Sequence, residues 1–265
     1  MTTLTTVIPN YNRQKTICRT IYSCLREFPD CEIIIVDDKS TDDSINLIKK
    51  TFSQQINKGS VKILMNEENK GVTFSKNTGY NLASSDWVLF LDSDDELFPS
   101  SRDFILQELD KSKKYSIIFF RCVDQTGKIV GENVKEKETV NITQYLQHSS
   151  KGEALTVINK GLIKNTNPYP ADLRGYEGLG CAQIIYKYSN AIISPIVARI
   201  YHTSDNDRLS SPRGFAKRSH LVAKGHLHLI REFSRYISLK QKISLTSKAV
   251  VYLAYHKIFK LLSRQ

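Results

Sequence analysis

A chain of 265 residues with 40% hydrophobic and 25% charged side chains has the makings of one large core or two small ones, which excludes a disordered or fibrous protein. No run approaches the roughly 18 continuous apolar residues of a membrane-spanning helix, and Met1-Thr2-Thr3-Leu4 has neither the basic nor the apolar region of a secretory signal. The net charge is +11, and five cysteines without C-x-x-C spacing read as free thiols in a reducing cytoplasm rather than a zinc site.

Residues 4–9 read as a β-strand. Residues 13–28 follow as a helix with Ile17, Ile21, Cys24, Leu25 and Phe28 on one face. The apolar run over 31–36 has the pattern of a strand buried on both faces. Ser40 and Asp43 resemble a capping box opening a helix over 42–52. A third strand is predicted over 61–65, a helix over 73–83 and a fourth strand over 87–91. Strands alternating with helices of this length imply right-handed βαβ units, hence an α/β fold with a mostly parallel central sheet flanked by helices. After Lys114 the pattern changes. Residues 115–123 and 128–130 read as a hairpin around Gln125-Thr126-Gly127, and 141–149 and 178–188 as helices. Two more helices, over 215–233 and 243–262, form a C-terminal extension. Residues 213–265 hold twelve Lys/Arg against the single acid Glu232, so the whole excess charge lies there and the first 212 residues are neutral. Such a stretch calls for an anionic partner.

Ligands on sheets of this kind sit at the carboxyl ends of the strands. Polar clusters fall at three of those ends: Asn10-Tyr11-Asn12, Asp37-Asp38 and Asp92-Ser93-Asp94-Asp95. Three carboxylates within four residues repel one another unless a cation neutralises them, and a hard divalent ion bridging phosphates would do so. A solvated acidic turn is the plainer reading of that segment on its own.

The ensemble settles the reading. Val7-Ile8-Pro9-Asn10-Tyr11-Asn12-Arg13, Ile35-Val36-Asp37-Asp38-Lys39-Ser40-Thr41-Asp42, Asn69-Lys70-Gly71-Val72, Lys76-Asn77-Thr78-Gly79 and Phe90-Leu91-Asp92-Ser93-Asp94-Asp95 closely resemble, in order and spacing, the family 2 glycosyltransferases of the GT-A fold. The resemblance is strong over the first hundred residues and thins afterwards. It implies an inverting, metal-dependent transfer of a sugar from a nucleotide-sugar, a UDP-sugar, to a glycan hydroxyl. Pro9, Tyr11, Asn12 and Asp38 would hold the base, Tyr11 offering a stacking face and Asp38 accepting from the uracil imide. Ordinary packing is the alternative for Tyr11, and Asp37 reads as a helix N-terminal charge. Lys76 stands where many relatives have Arg and would contact the donor diphosphate as a point charge, unless it is a solvated helix Lys. Asn77, Asp92 and Ser93 complete the donor set. Asp94 and His202 would ligate Mn2+ or Mg2+, imidazole suiting Mn2+ better. The family usually carries a Glu-Asp pair in its second half; here the stretch is Glu177-Gly178, which leaves Glu177 as general base or, alternatively, as a helix-start charge.

The expected organisation is a GT-A domain over 1–212, with a nucleotide-binding half (1–114) and an acceptor half (115–212), and a basic helical tail over 213–265. Helices with apolar and cationic sectors lie on anionic bilayers; the alternative is an apolar face packed on the catalytic domain. Bacterial relatives extend lipid-linked oligosaccharides or surface polysaccharides, which makes a lipid-linked glycan the expected acceptor. The expected location is cytoplasmic, peripheral on the inner face of the cell membrane. The tail lacks a nucleic-acid module and has few aromatics among its cations, so no nucleic-acid partner is expected. A non-catalytic nucleotide- or nucleic-acid-binding protein is the competing reading, and oligomeric state is left open.

Overall fold

The structure is a computed structural model that describes residues 2–164, 166–202 and 212–262. Strands β1 (Leu4–Asn10), β2 (Glu32–Asp37), β3 (Val61–Met65) and β4 (Trp87–Phe90) pair in parallel in the order β3-β2-β1-β4. Helices α1 (Ile17–Glu27), α2 (Ser44–Thr51), α3 (Ser53–Asn57) and α4 (Val72–Leu82) form the crossovers. The period of two along β2 explains its unbroken apolar run. Ile33 and Ile35 join Ile17, Ile21, Cys24, Phe28 and Ile48 in one core, while Ile34 and Val36 join Tyr80, Val88 and Phe90 in the other.

Beyond β4 the sheet becomes mixed. β8 (Ala154–Asn159) runs antiparallel between β4 and β6 (Ile117–Val123), and β9 (Ala191–Ile200) lies parallel to β6. The short β5 (Glu96–Leu97) and β7 (Glu138–Val140) both pair antiparallel with β9. The mostly parallel sheet that was expected is thus parallel through the first half and mixed in the second, where β6 and β9 still pair in parallel. The hairpin expected around residue 126 shrinks to a single bridge, Val123 to Ile129. Asp124 closes the turn by accepting from Thr126 and Lys128, but both edges of β6 are already taken by β8 and β9. Helices α5 (Arg102–Lys111), α6 (Ile142–His148) and α7 (Glu177–Lys187) cover the second half. A capping box does occur, at Asn141 and Gln144 of α6. The one expected at Ser40 and Asp43 does not form, because the Ser40 hydroxyl donates to Asp37 and accepts from the Asn12 amide.

The chain ends in α8 (Pro212–Phe233) and α9 (Leu239–Leu262), which pack on each other with Phe215 against Tyr252 and His220 over His256. α8 buries Ala216, Ser219 and Ala223, and its last residue, Phe233, belongs to the second core. α9 rests on α8 through a stripe that includes Ala249, Tyr252 and His256, and its remaining faces are open. Among the described residues no helix is long and apolar enough to cross a membrane.

Candidate active site

The acidic run starts where β4 ends, and one face of α1 holds its backbone. The Thr16 hydroxyl donates to the Ser93 carbonyl, Arg19 to that of Asp94 and the Thr20 hydroxyl to that of Asp95, at 2.8, 2.7 and 2.7 Å. Ser23 then accepts from the Leu97 amide at 3.0 Å. Residues along one face of α1 and its N-cap thus hold the backbone of Ser93, Asp94, Asp95 and Leu97.

Asp92 faces a cleft of about 310 Å³ whose walls include Lys76, Phe119, Tyr145, Glu153, Tyr169, Glu177 and Arg199. Lys76 is buried, and its ammonium lies 3.0 Å from Asp92 and 3.2 Å from Glu177. Burial works against that charge, but the two carboxylates outweigh it and raise the Lys76 pKa. Arg199, also buried, approaches Asp92 at 3.6 Å, Asp95 at 3.4 Å and Glu153 at 3.1 Å. Asp95 is pushed up to about 7, chiefly by burial; the repulsion of Asp92 and Asp94 adds to it and Arg199 opposes it. Gly178 borders the same cleft, and a Cβ there would meet nothing nearer than the Tyr145 hydroxyl at 3.7 Å. Packing therefore does not demand the glycine; its missing side chain widens the cleft beside Glu177.

The nucleotide-side residues mostly build the turns around this cleft. Asp38 accepts from the backbone amides of Lys70 and Gly71 at 2.8 and 2.7 Å and from Asn66 at 2.9 Å, anchoring the loop before α4. Gly71 has φ 94°, and the Arg174 side chain passes where its Cβ would be. Asp37, the supposed helix charge, instead accepts from Asn10 and from the amide and hydroxyl of Ser40. Asn12 accepts from the amides of Thr41 and Asp42, and Pro9 is buried in β1 beside Val36. Tyr11 is 44% exposed, its ring free to meet a base. Asn77 is turned away from the cleft: its side chain exchanges two hydrogen bonds with the Tyr169 backbone.

Known proteins resemble this chain in sequence and in fold. The sequence profile described as "Glycosyl transferase family 2" matches residues 5–159. The chain belongs to that family. A Campylobacter jejuni GalNAc(5)-diNAcBac-PP-undecaprenol beta-1,3-glucosyltransferase is 27% identical over 238 residues, 87% of this chain and 74% of the relative. An Escherichia coli UDP-Glc:alpha-D-GlcNAc-diphosphoundecaprenol beta-1,3-glucosyltransferase is 31% identical over 164 residues, 62% of this chain and 61% of the relative. Among solved structures, S. aureus TarS in complex with UDP-GlcNAc shares the fold at TM-score 0.64 and 18% identity, over 94% of this chain and 81% of that one. A Pyrobaculum calidifontis mannosyltransferase in complex with GDP-Man and Mn2+ does so at 0.63 and 17%, over 95% and 74%.

Of the residues this family 2 glycosyltransferase was expected to use, Lys76, Asp92 and Glu177 share one cleft. Asp94 and His202 have different partners: Asp94 lies 3.8 Å from Arg13, while the His202 ring is 2.8 Å from Glu96 and its amide donates to Asp95. Among the described residues no three His, Cys, Asp or Glu side chains are grouped to hold a metal ion. The hard carboxylate oxygens of Asp92 and Asp94 nonetheless suit Mn2+ or Mg2+. Sequence reasoning missed Arg199, Glu153 and the aromatic wall of Phe119, Tyr145 and Tyr169. These residues come from β6, α6, β9, the residue before β8 and the loop between β8 and α7, which meet through long-range pairing that no local pattern displays.

Proposed function

We propose that the chain transfers a sugar from a UDP-sugar to a hydroxyl of a lipid-linked glycan, with inversion, at an anionic membrane surface. The observation that carries the reading is the Lys76 ammonium bridging Asp92 and Glu177 in one cleft. Tyr11 stacks on the base beside the turn built by Pro9, Asn12 and Asp38. The diphosphate lies toward Lys76, Ser93 and Asp94, where Lys76 supplies a fixed positive charge to the departing nucleotide. Asp92, Asp94 and His202 would hold a divalent cation, which would supply charge neutralisation of the diphosphate. Glu177 takes the proton of the attacking acceptor hydroxyl, and the space beside Gly178 admits that acceptor. The lipid-linked acceptors in the names of the C. jejuni and E. coli relatives support the acceptor class.

The open face of α9 supports the membrane. Leu239, Ile243, Val250, Ile258 and Leu261 are each more than half exposed, on the side away from α8, with Lys240, Lys248, Lys257 and Lys260 beside them. A peripheral place on the inner, anionic leaflet follows.

Hydrolysis of a panel of UDP-sugars, starting with UDP-glucose and UDP-GlcNAc, tests the donor in Mn2+ and again in EDTA. Turnover of at least one donor that needs the metal and is lost in Asp94→Asn is expected. A folded protein that turns over no UDP-sugar, or that works equally well in EDTA, would sink the donor or the metal reading respectively.

A further inference from the structure

The base-bearing end of α7 rests on α8. Tyr176 is the residue before Glu177 and stands at the N-cap of α7, where its side chain makes no capping bond. Its hydroxyl instead shares a 2.7 Å hydrogen bond with Nδ1 of His226. Its ring occupies the space above Gly225, where a Cβ would come within 2.6 Å of the ring carbons. Glycine is the poorest helix former after proline, so its presence in the middle of a 22-residue helix asks for a reason, and the ring seat supplies one. Burial lowers the His226 pKa, so the imidazole is neutral and either partner can donate the shared proton.

Two further contacts tie the same loop to α8. Arg218 donates to the Gly175 carbonyl at 3.1 Å, and Lys224 pairs with Asp172. On its other side Arg174 donates to the Asn69 carbonyl, next to the loop that Asp38 anchors. Residues 172–177 are therefore suspended between α8 and the donor loop, and the helix carrying Glu177 starts at the end of that span.

We propose that α8 is a positioning element of the catalytic centre: the Tyr176–His226 bond and the Gly225 seat hold the first turn of α7 so that Glu177 stays beside Lys76. The proposal rests on the reading of Glu177 as general base. It moves the catalytic unit's boundary from 212 to the turn after Phe233, a residue already in the second core, and leaves α9 alone as the appendage.

The test uses the full chain and two readouts. Hydrogen exchange of residues 172–180, measured without ligand, reports the loop. Transfer from UDP-glucose to a short-chain GlcNAc-diphosphate lipid reports the chemistry. Tyr176→Phe and His226→Ala should speed exchange in 172–180 by about tenfold, with sheet amides unchanged. The same variants should lower kcat by about 10- to 100-fold at an unchanged donor KM. His226→Asn, whose amide oxygen falls near Nδ1, should restore both. Gly225→Ala should be slow although it improves the helix. In a Glu177→Gln background the added substitutions should lower kcat no further.

Unchanged exchange in the folded variants would overturn the proposal without any need of substrate. So would a raised donor KM at constant kcat, or a further drop in the Glu177→Gln background. Glu177→Gln at wild-type kcat would overturn the base reading itself, a result separate from the behaviour of the loop.

Discussion

Lys76 and Arg199 are buried cations shared between carboxylates, and the two play different parts. Lys76 is a point charge held between Asp92 and Glu177. Arg199 is a planar fork fixed by Asp92, Asp95, Glu153 and the Cys122 sulfur at once. Glu177→Gln should therefore keep donor affinity and lose about 10²–10⁴-fold in kcat, the usual contribution of a general base, as steady-state kinetics would show. Arg199→Met should act on the fold instead. It removes the cation 3.4 Å from the fully buried Asp95, and breaking a buried pair costs about 3–5 kcal/mol, visible as a lower denaturant midpoint. An unchanged midpoint would mean that other partners suffice for Asp95. The residues of this site divide by how far their neighbours lie along the chain. Asp92 and Lys76 stand in motifs whose order announces them, while Glu177 stands in a stretch, Glu177-Gly178, that departs from the family's Glu-Asp pair. Arg199 and Glu153 acquire meaning only once β9 and β8 are laid on either side of β6.

At the scale of elements, Glu32 shows how one charge joins several strands. It opens β2, accepts from Thr5 of β1 at 2.8 Å and from Ser84 before β4 at 2.9 Å, and pairs with Lys62 of β3 at 2.6 Å. Burial would raise its pKa, but these three residues lower it to about 2. A carboxylate depressed in the folded state stabilises fully above its unfolded value, near 4.5, and loses that contribution as pH falls through about 2. Glu32→Gln should thus cost about 1–2 kcal/mol at pH 7, discounted for the half-exposed Lys62. The gap from wild type should close between pH 4.5 and pH 2 in urea titrations. A gap independent of pH would assign the effect to shape rather than charge. Of the strands that Glu32 joins, β2 is the most legible in the sequence, because a strand buried on both faces is a near-continuous apolar run, here Ile33 to Val36. β5 and β7, two and three residues long, have no room for a pattern. β9 hides its own, with Ser194 and Pro195 inside it and register shifts against β6.

On the scale of the whole molecule, the excess positive charge lies beyond residue 212, in the stretch that forms the last two helices. The sequence left two places for the tail, on the domain or on a bilayer; in the structure α8 feeds Phe233 into the core, while α9 carries exposed apolar side chains away from α8. A truncation after Ser238 is a poor test of membrane binding, since it would uncover the side of α8 that α9 protects through Tyr252 and His256. Val250→Glu with Ile258→Glu is better, because both side chains are more than half exposed and face away from α8. The double variant should keep its circular dichroism and its hydrolysis of a UDP-sugar yet lose retention on vesicles containing anionic lipid. Each tail cation near such a surface contributes on the order of 1 kcal/mol, screened over a Debye length of about 8 Å at physiological salt. Wild-type binding should therefore weaken as salt rises and vanish on neutral vesicles. The two glutamates act doubly, by removing apolar burial and by adding charge of the wrong sign, so a drop in vesicle partitioning of at least tenfold is expected, as roughly 1.4 kcal/mol suffices for that. A folded double variant that partitions like wild type would show that the outward face of α9 has some other occupant.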